Sequence, residues 1–374
     1  MYTTPIPIVK RLPILSGIVS VFTFDSYVKR FHSREAAVSA TIFDVAEKAG
    51  VSTATVSKVF SGKPYVSEKT RARVLAVAEA LQYSPNHAAR SLASGRSNTI
   101  GVVIAYDPRD LFADPSLLQV VYGVDLEVTE RDYSLLLSTA RSTNDSSAYA
   151  RLIHHDVDGI LAEGSMLGIE GERILASKGV PCVIFGYSAT GLPSVYPDDY
   201  HGARRLIAHL LELGHRRIGI ISGLNPERSL AVQARLRGVQ DVLEGVGMSI
   251  RPDLIVPGTY RTESGYAGAA QLMARPEPPT AIFAMNDRMA LGVLRWLREH
   301  GYRVPHDISV VGFDDIADAA QFDPPLTTVR LPTVAIGQRA ATLLFDLIAG
   351  KDPEPAPIVL PTELIIRAST ARLI

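Results

Sequence analysis

Apolar positions follow two rhythms along this chain, and the rhythm changes near residue 98. From 41 to about 97 the segments are short and the spacing is helical. Ile42, Val45, Ala46 and Ala49 fall on one face of a two-turn helix, because residues three and four apart stack on one side of an α-helix. Gly50 then supplies a turn by tolerating left-handed backbone. Ser52 stands where a hydroxyl caps the next helix. In that second helix Val56, Val59 and Phe60 point inward and leave Thr53, Ala54, Ser57 and Lys58 outside. A third helix over 68–82, capped by Ser67, completes a three-helix core through Val74, Ala78 and Leu81. A short helix, a glycine turn and a second helix with a small, polar, basic outer face read as a helix-turn-helix. Spacing alone leaves an ordinary helical hairpin open.

From 99 onward, β-branched apolar runs at 99–105, 134–138, 159–162, 182–185, 218–222, 281–284 and 309–313 alternate with helical stretches. The helical patterns lie at 116–131, 200–213, 228–245 and 287–300. Such alternation predicts parallel sheets covered on both faces. Residues 98–103 and 216–221 each open a βα series with a similar sequence, which predicts two α/β lobes in tandem. A cleft between such lobes, at the carboxyl ends of strands, is where ligands bind.

Two segments stand apart. Ser84, Pro85 and Gly95 are a cap, a first-turn proline and a stop, framing a helix of about two turns, too short to be stable alone. A partner copy and DNA could order it, with Leu92 as a wedge between base steps in the minor groove. Residues 1–39 follow neither rhythm. Their apolar stretch after Lys10 and Arg11 imitates a signal peptide, but Pro13 and Gly17 interrupt it, so a disordered extension is expected instead.

Composition narrows the class. With 374 residues, two or three domains are expected. At 47% hydrophobic and 21% charged residues the chain is neither disordered nor collagen-like. No apolar run reaches the ~18 residues of a membrane span. The lone Cys182, between Pro181 and Val183, reads as a buried thiol on a strand. The net charge of −1 hides an asymmetry: residues 40–98 carry eight Lys/Arg against four Asp/Glu, and 99–374 carry 25 against 33. A basic module on an acidic body points to an anionic partner for the module.

Enzyme signatures are missing. The chain holds no Gly-x-Ser-x-Gly elbow and no His-Glu-x-x-His, and Gly62-Lys63 lacks the earlier glycine of a phosphate loop because position 57 is Ser. His154, His155 and Asp156 are adjacent, so on a helix they point about 100° apart, which suits a solvated face better than a metal. His209 and His215 read as a helix residue and a helix-end cap. No cofactor, no metal and no membrane contact are expected.

Thr-Ile-x-Asp-Val-Ala-x-x-Ala-Gly-Val-Ser from Thr41, Thr-Val-Ser from Thr55, Tyr-Ser-Pro-Asn from Tyr83 and Ala-Arg-Ser-Leu-Ala from Ala89 occur in order. Asp198-Asp199, Leu213-Gly214-His215, Asn286-Asp287, Val310–Asp315, Pro325–Thr328 and Leu360–Leu364 follow. With these motifs the chain resembles the LacI/GalR-type bacterial transcriptional regulators over about residues 40–370. The resemblance implies a helix-turn-helix DNA-binding headpiece at 40–83, a hinge helix and linker at 84–98, and a two-lobed α/β core at 99–374. That core would be periplasmic-binding-protein-like, with lobe 1 at about 99–198 and 327–350 and lobe 2 at about 199–326 and 351–370. The proline-rich 351–357 would make one crossing between lobes.

The function implied is a cytoplasmic, nucleoid-associated regulator, a repressor, that binds palindromic double-stranded operator DNA as a homodimer. A small-molecule effector in the interlobe cleft would control it. Thr53, Ala54 and Lys58 match the family's base-reading positions, with Lys58 suited to guanine O6/N7 and Ala54 to a thymine methyl. Thr41, Ser52, Thr55 and Tyr83 suit phosphates. Leu92 matches the intercalating leucine, and Ala93 keeps its neighbour small. For the effector, Asn286 and Asp287 lie where a strand ends and a helix begins, with helix capping as the alternative role for Asp287. Arg235 matches a recurrent ligand-binding arginine, whose fork spans two oxygens. Tyr260 stands where relatives stack an aromatic, and Phe112 is the candidate from the first lobe. An acid beside a basic fork favours an uncharged carbohydrate over a nucleobase. A nucleobase-responsive regulator and a sugar receptor of the same core fold are the alternatives, and the second has no use for a helix-turn-helix.

Overall fold

The helical rhythm of the first segment builds three helices, α1 (Ile42–Ala49), α2 (Thr53–Phe60) and α3 (Glu68–Ala80). In this computed structural model the described residues are 40–60, 65–83, 96–139, 157–177, 179–352 and 356–373. The extension 1–39, the segment 84–95 with Leu92 and Ala93, and the His154–Asp156 group lie outside them. The chain divides into two units at residues 89 and 90.

In the first unit α1 opens on a capping box: the Asp44 carboxylate accepts the Thr41 N–H at 2.7 Å, and the Thr41 hydroxyl accepts that of Asp44 at 3.4 Å. Gly50 ends it at φ 61°, its N–H reaching the carbonyls of Ala46 and Glu47, a left-handed cap that suits glycine. Val45, Val56 and Val74 meet in the core without exposure. Tyr83 closes the unit edge-on against Phe60, the ring centroids 5.7 Å apart.

The second unit begins with the strand–helix alternation of lobe 1: β1 (Thr99–Ile104), α4 (Pro108–Phe112), α5 (Pro115–Glu130), β2 (Ser134–Thr139), β3 (Gly159–Glu163), α6 (Gly164–Ala176), β4 (Cys182–Phe185) and β5 (Ser194–Pro197). Lobe 2 follows with α7 (Asp199–Glu212), β6 (Ile218–Ile221), α8 (Leu230–Glu244), β7 (Ile255–Val256), α9 (Thr262–Met273), β8 (Ala281–Ala284), α10 (Asp287–Glu299) and β9 (Ser309–Val311). The chain then runs through β10 (Thr328–Arg330), α11 (Thr333–Ile348), β11 (Ile358–Leu360) and β12 (Glu363–Ile365). One sheet has the order β11-β5-β4-β3-β1-β2 and the other β7-β6-β8-β9. Every pairing in them is parallel. Their strands are uninterrupted apolar runs because helices cover both faces: β3, β4, β6 and β8 are buried throughout. Cys182 lies inside β4, where burial pushes its thiol up to about 12, out of reach of nucleophile chemistry at neutral pH.

One boundary differs from expectation. The stretch 351–370 does not belong to lobe 2 as a block, because β11 pairs with β5 of lobe 1 while β12 pairs antiparallel with β10. Ile358-Val359-Leu360 extends the lobe 1 sheet by one edge strand, so the third crossing falls at Pro361-Thr362, after the prolines and not within them. His215 also departs from the expected helix cap. Its ring meets Thr280 and Ser309 at 3.0 Å and the Ala371 carbonyl at 3.1 Å, pinning the last described residues to lobe 2.

Candidate functional site

Two surfaces hold the predicted residues, one in each unit. In the first, α2 exposes Ala54, Ser57 and Lys58 and half-exposes Thr53 and Thr55. The Ser52 hydroxyl accepts the Thr55 N–H at 3.2 Å and lies 3.0 Å from the Thr55 hydroxyl. Ser52 and Thr41 therefore set the starts of the two helices while standing exposed beside them. Phe43 on α1 and Tyr65 before α3 are 71% and 85% exposed, large aromatic areas that helical spacing alone does not single out. A basic, small-residue helix beside exposed rings is fitted to a groove wall of phosphate, sugar and base edge.

In the second unit the site lies where strands end. Tyr106 follows β1, Glu163 ends β3, and Tyr187 follows β4; facing them are Asp199 at the start of α7, Arg235 on α8, Tyr260 after β7, Asn286 after β8 and Asp314 after β9. Together they line a cavity of about 170 Å³ whose walls come from both lobes. Arg235 is its fixed point. Its Nε donates to Asp199 at 2.7 Å, another nitrogen donates to the Met285 carbonyl, and its guanidinium lies 3.8 Å from the centre of the Phe313 ring. The Tyr187 phenol donates to the same Asp199 carboxylate. Burial and that neighbouring charge push the Tyr187 phenol above its ordinary value.

Tyr260 is held from three sides. Its backbone is left-handed at φ 61°, its carbonyl accepts from Asn286 Nδ2 at 3.1 Å, and its phenol lies over Gly223. A Cβ on Gly223 would come within 2.0 Å of the phenol oxygen, so the ring can lie there only above glycine. Burial pushes this phenol up to about 12. Asp314, at φ 122°, lines the cavity with a carboxylate that no described residue hydrogen-bonds. Burial lifts it well above the carboxylate range, opposed by the nearby Arg235. Between the lobes, Arg261 of lobe 2 meets Asp110 of lobe 1 at 2.6 Å. A larger recess of about 810 Å³ shares Tyr106, Ser165, Tyr187, Ala231 and Tyr260 with the cavity.

The two units have known counterparts. The family model of bacterial regulatory proteins, lacI family, matches residues 41–86, and that of the periplasmic binding protein-like domain matches 207–370. The HTH-type transcriptional regulator CelR of Thermobifida fusca is 37% identical over 335 residues, covering 88% of this chain and 98% of that protein. This chain belongs to the lacI family of bacterial regulatory proteins. The HTH-type transcriptional repressor CytR of Escherichia coli (strain K12) is 35% identical over 341 residues, covering 90% of this chain and 97% of its own. Among solved structures, the lac repressor dimer bound to operator and the anti-inducer ONPF matches with TM-score 0.79 at 32% identity, over 89% of this chain and 99% of that one. The CelR–cellobiose complex matches with TM-score 0.68 at 35% identity, over 88% and 99%. As a lacI-family member the chain is a DNA-binding transcriptional regulator and not an enzyme. Among the described residues no helix is long and apolar enough to cross a membrane.

Within this family frame, the expected effector residues divide. Arg235, Tyr260 and Asn286 come together in the cavity lining. Asp287 does not join them: it is fully buried, its carboxylate accepting the Thr328 hydroxyl at 2.6 Å and the Ile316 N–H at 2.9 Å. Being the first residue of its helix turns its side chain into the protein, and it is Asn286 that caps, accepting the Met289 N–H at 2.9 Å. Phe112 ends α4 with 62% of its surface in water, outside the cavity lining. The acids in the lining are Asp114 and Glu163 of lobe 1 and Asp199 and Asp314 of lobe 2. The lobe 2 pair sits in the motifs Asp198-Asp199 and Val310–Asp315. The strand-end rule that selected Asn286 selects Asp314 equally well.

Proposed function

We propose that this regulator represses transcription by binding a two-fold symmetric operator as a homodimer, and that an uncharged sugar or sugar derivative in the interlobe cavity controls that binding. The observation that carries the effector reading is the lining itself: a guanidinium fixed by Asp199 beside the unpaired Asp314 carboxyl, with tyrosines on both sides. Hydroxyls donate and accept at once, so a polyhydroxylated ring satisfies both groups, whereas an anion would meet Asp114, Glu163, Asp199 and Asp314 together. A ligand touching both lobes favours one lobe arrangement over another, and only such a difference can shift an equilibrium. On DNA, Thr53, Ala54 and Lys58 read bases, Thr41, Ser52, Thr55 and Tyr83 face phosphates, and Leu92 wedges into the minor groove beside the small Ala93. Two headpieces match two half-sites, and operator binding of this kind supports a cytoplasmic, nucleoid-associated regulator.

Fluorescence anisotropy tests this on palindromic duplexes selected from a random pool, with and without a panel of neutral sugars, sugar phosphates and nucleobases. The expected result is two chains per duplex and a shifted affinity with a neutral sugar. A shift with nucleobases alone would turn the conclusion to a nucleobase-responsive regulator.

A further inference from the structure

We infer that Arg261 and Arg288 of lobe 2 and Asp110 and Asp114 of lobe 1 form a two-point electrostatic latch, which holds the lobes together without a ligand and gains its second ion pair as they close. The two arginines stand against a local rule. Arg261 occupies the cap position of α9, where its side chain caps nothing, and Arg288 is the second residue of α10. The start of a helix carries partial positive charge, so it favours acids and disfavours cations. The first turns of α9 and α10 also lie against each other: a Cβ on Gly265 would strike the Met289 carbonyl, and one on Gly292 the Thr262 carbonyl. Two cations and two helix starts therefore gather on the side of lobe 2 that meets lobe 1. Residues that break a local preference in this way are offset elsewhere in the fold.

Here the offset comes from the other lobe. Asp110 on α4 meets Arg261 at 2.6 Å. Asp114 caps α5, its Oδ1 accepting the Ser116 and Leu117 N–H groups at 3.0 and 3.2 Å. Its Oδ2 stands 4.0 Å from Arg288 Nη1, outside hydrogen-bonding reach. Arg288 makes no hydrogen bond to any described residue. One pair is thus closed and the other is open by about 1 Å, the gap between 4.0 Å and the ~2.9 Å of a charge-assisted bond. The third acid of the stretch, Asp107, is engaged by its own neighbour Arg109 at 3.1 Å, and the acid beside Arg261 on its own helix is Glu263.

The two pairs differ in how salt reaches them. Arg261 is exposed and Asp110 partly so, whereas the side chains of Arg288 and Asp114 keep only 18% and 22% of their surface in water, where screening is weaker. An exposed pair adds little to folding. Between two lobe arrangements of similar free energy, however, a severalfold factor decides which is populated. The latch therefore sets the resting position from which any effector acts, and ties that position to ionic strength.

Double electron–electron resonance on the full chain without ligand tests this. Spin labels go on Ala176→Cys of lobe 1 and Ala267→Cys of lobe 2, both exposed, while Cys182 is buried away from the label. Diluting labelled with unlabelled chain about tenfold restricts the reading to distances within one chain. One main distance is expected at about 50 mM potassium chloride. At about 1 M, where the screening length falls to ~3 Å, longer distances should gain at least threefold on it. Arg261→Gln with Arg288→Gln should show the high-salt distribution already at low salt, and Asp110→Arg with Arg261→Asp should bring back the short distance. Melting curves check the fold of each variant. A distribution that neither salt nor the glutamine pair moves, a salt response undiminished in the glutamine pair, or a charge swap that leaves the lobes as far apart as the glutamine pair would overturn the latch.

Discussion

Replacing Arg235 by alanine strands a charge. Asp199 is 1% exposed and ion-paired to Arg235 at 2.7 Å; without the guanidinium its remaining partner is the Tyr187 phenol. Removing one member of a buried pair costs about 3–5 kcal/mol, because the other charge stays buried and unpaired. The lost bond to the Met285 carbonyl and the lost seat on the Phe313 ring belong to the same side chain, so they fall within that figure and are not added to it. At roughly 2–4 °C per kcal/mol for a domain of this size class, the core should melt about 6–20 °C lower. Burial already lifts the Asp199 carboxyl above its ordinary value, and losing Arg235 lifts it further. The variant can therefore shed the charge by taking a proton, so the loss should be smaller at pH 5 than at pH 8. Adding Asp199→Asn to the variant removes the stranded carboxylate and should recover about half of the loss at pH 8. Calorimetry and urea unfolding of the four combinations read this out. An Arg235→Ala protein melting within about 2 °C of the unmodified one, or an Asp199→Asn change that adds a further full loss, would refute the reasoning.

The other expectations are as specific. Lys58→Ala should weaken the selected operator by about 1–3 kcal/mol at one base position; an equal loss on random duplex, read by anisotropy, would make Lys58 a phosphate contact. Asp287→Asn should flatten the pH dependence of stability. Burial lifts this carboxyl from 3.8 to about 7, so the folded state holds its proton longer than the unfolded one, and stability falls as pH rises from about 4 through 7. Asparagine can accept the Ile316 N–H and donate to Thr328, so urea midpoints at pH 5 and pH 8 should converge relative to the unmodified protein. Gly223→Ala should push the Tyr260 ring out of the cavity, costing about 1–3 kcal/mol for overpacking and weakening any sugar ligand while operator affinity without ligand is unchanged; calorimetric affinity at the unmodified level would show the ring has room elsewhere.

Local pattern carried much of the fold because its causes are local. The capping residues Thr41 and Ser67, the left-handed Gly50 and the buried runs of β3, β4 and β8 act within a few positions of themselves. Headpiece helices and lobe strands were legible for that reason. What escaped was set by distant partners. β11 is only three residues long, and its place in lobe 1 depends on β5 more than 160 positions earlier. The short α4 and the helix α9, with its glycines and alanines, present no strong apolar stripe to read.

The exchange of Asp287 for Asp314 in the cavity has the same origin, and it matters for how the site could be coupled to the rest of the core. Both aspartates follow strands of the lobe 2 sheet, so sequence position does not separate them. What separates them is Thr328, forty-one residues after Asp287, whose hydroxyl claims the Asp287 carboxylate, and Gly312, whose missing Cβ leaves that carboxylate room to turn inward. Thr328 begins β10, which leads from lobe 2 toward α11 on lobe 1. Asp315 holds the same strand through Arg330 at 2.7 Å and grips Arg367 of the returning segment, also at 2.7 Å. The two pins of the crossing strands are thus the immediate chain neighbours of Asn286 and Asp314, two of the residues that line the cavity. A ligand that moves either one pulls on a residue fastened to a crossing, and packed elements of this kind shift between discrete arrangements in preference to bending.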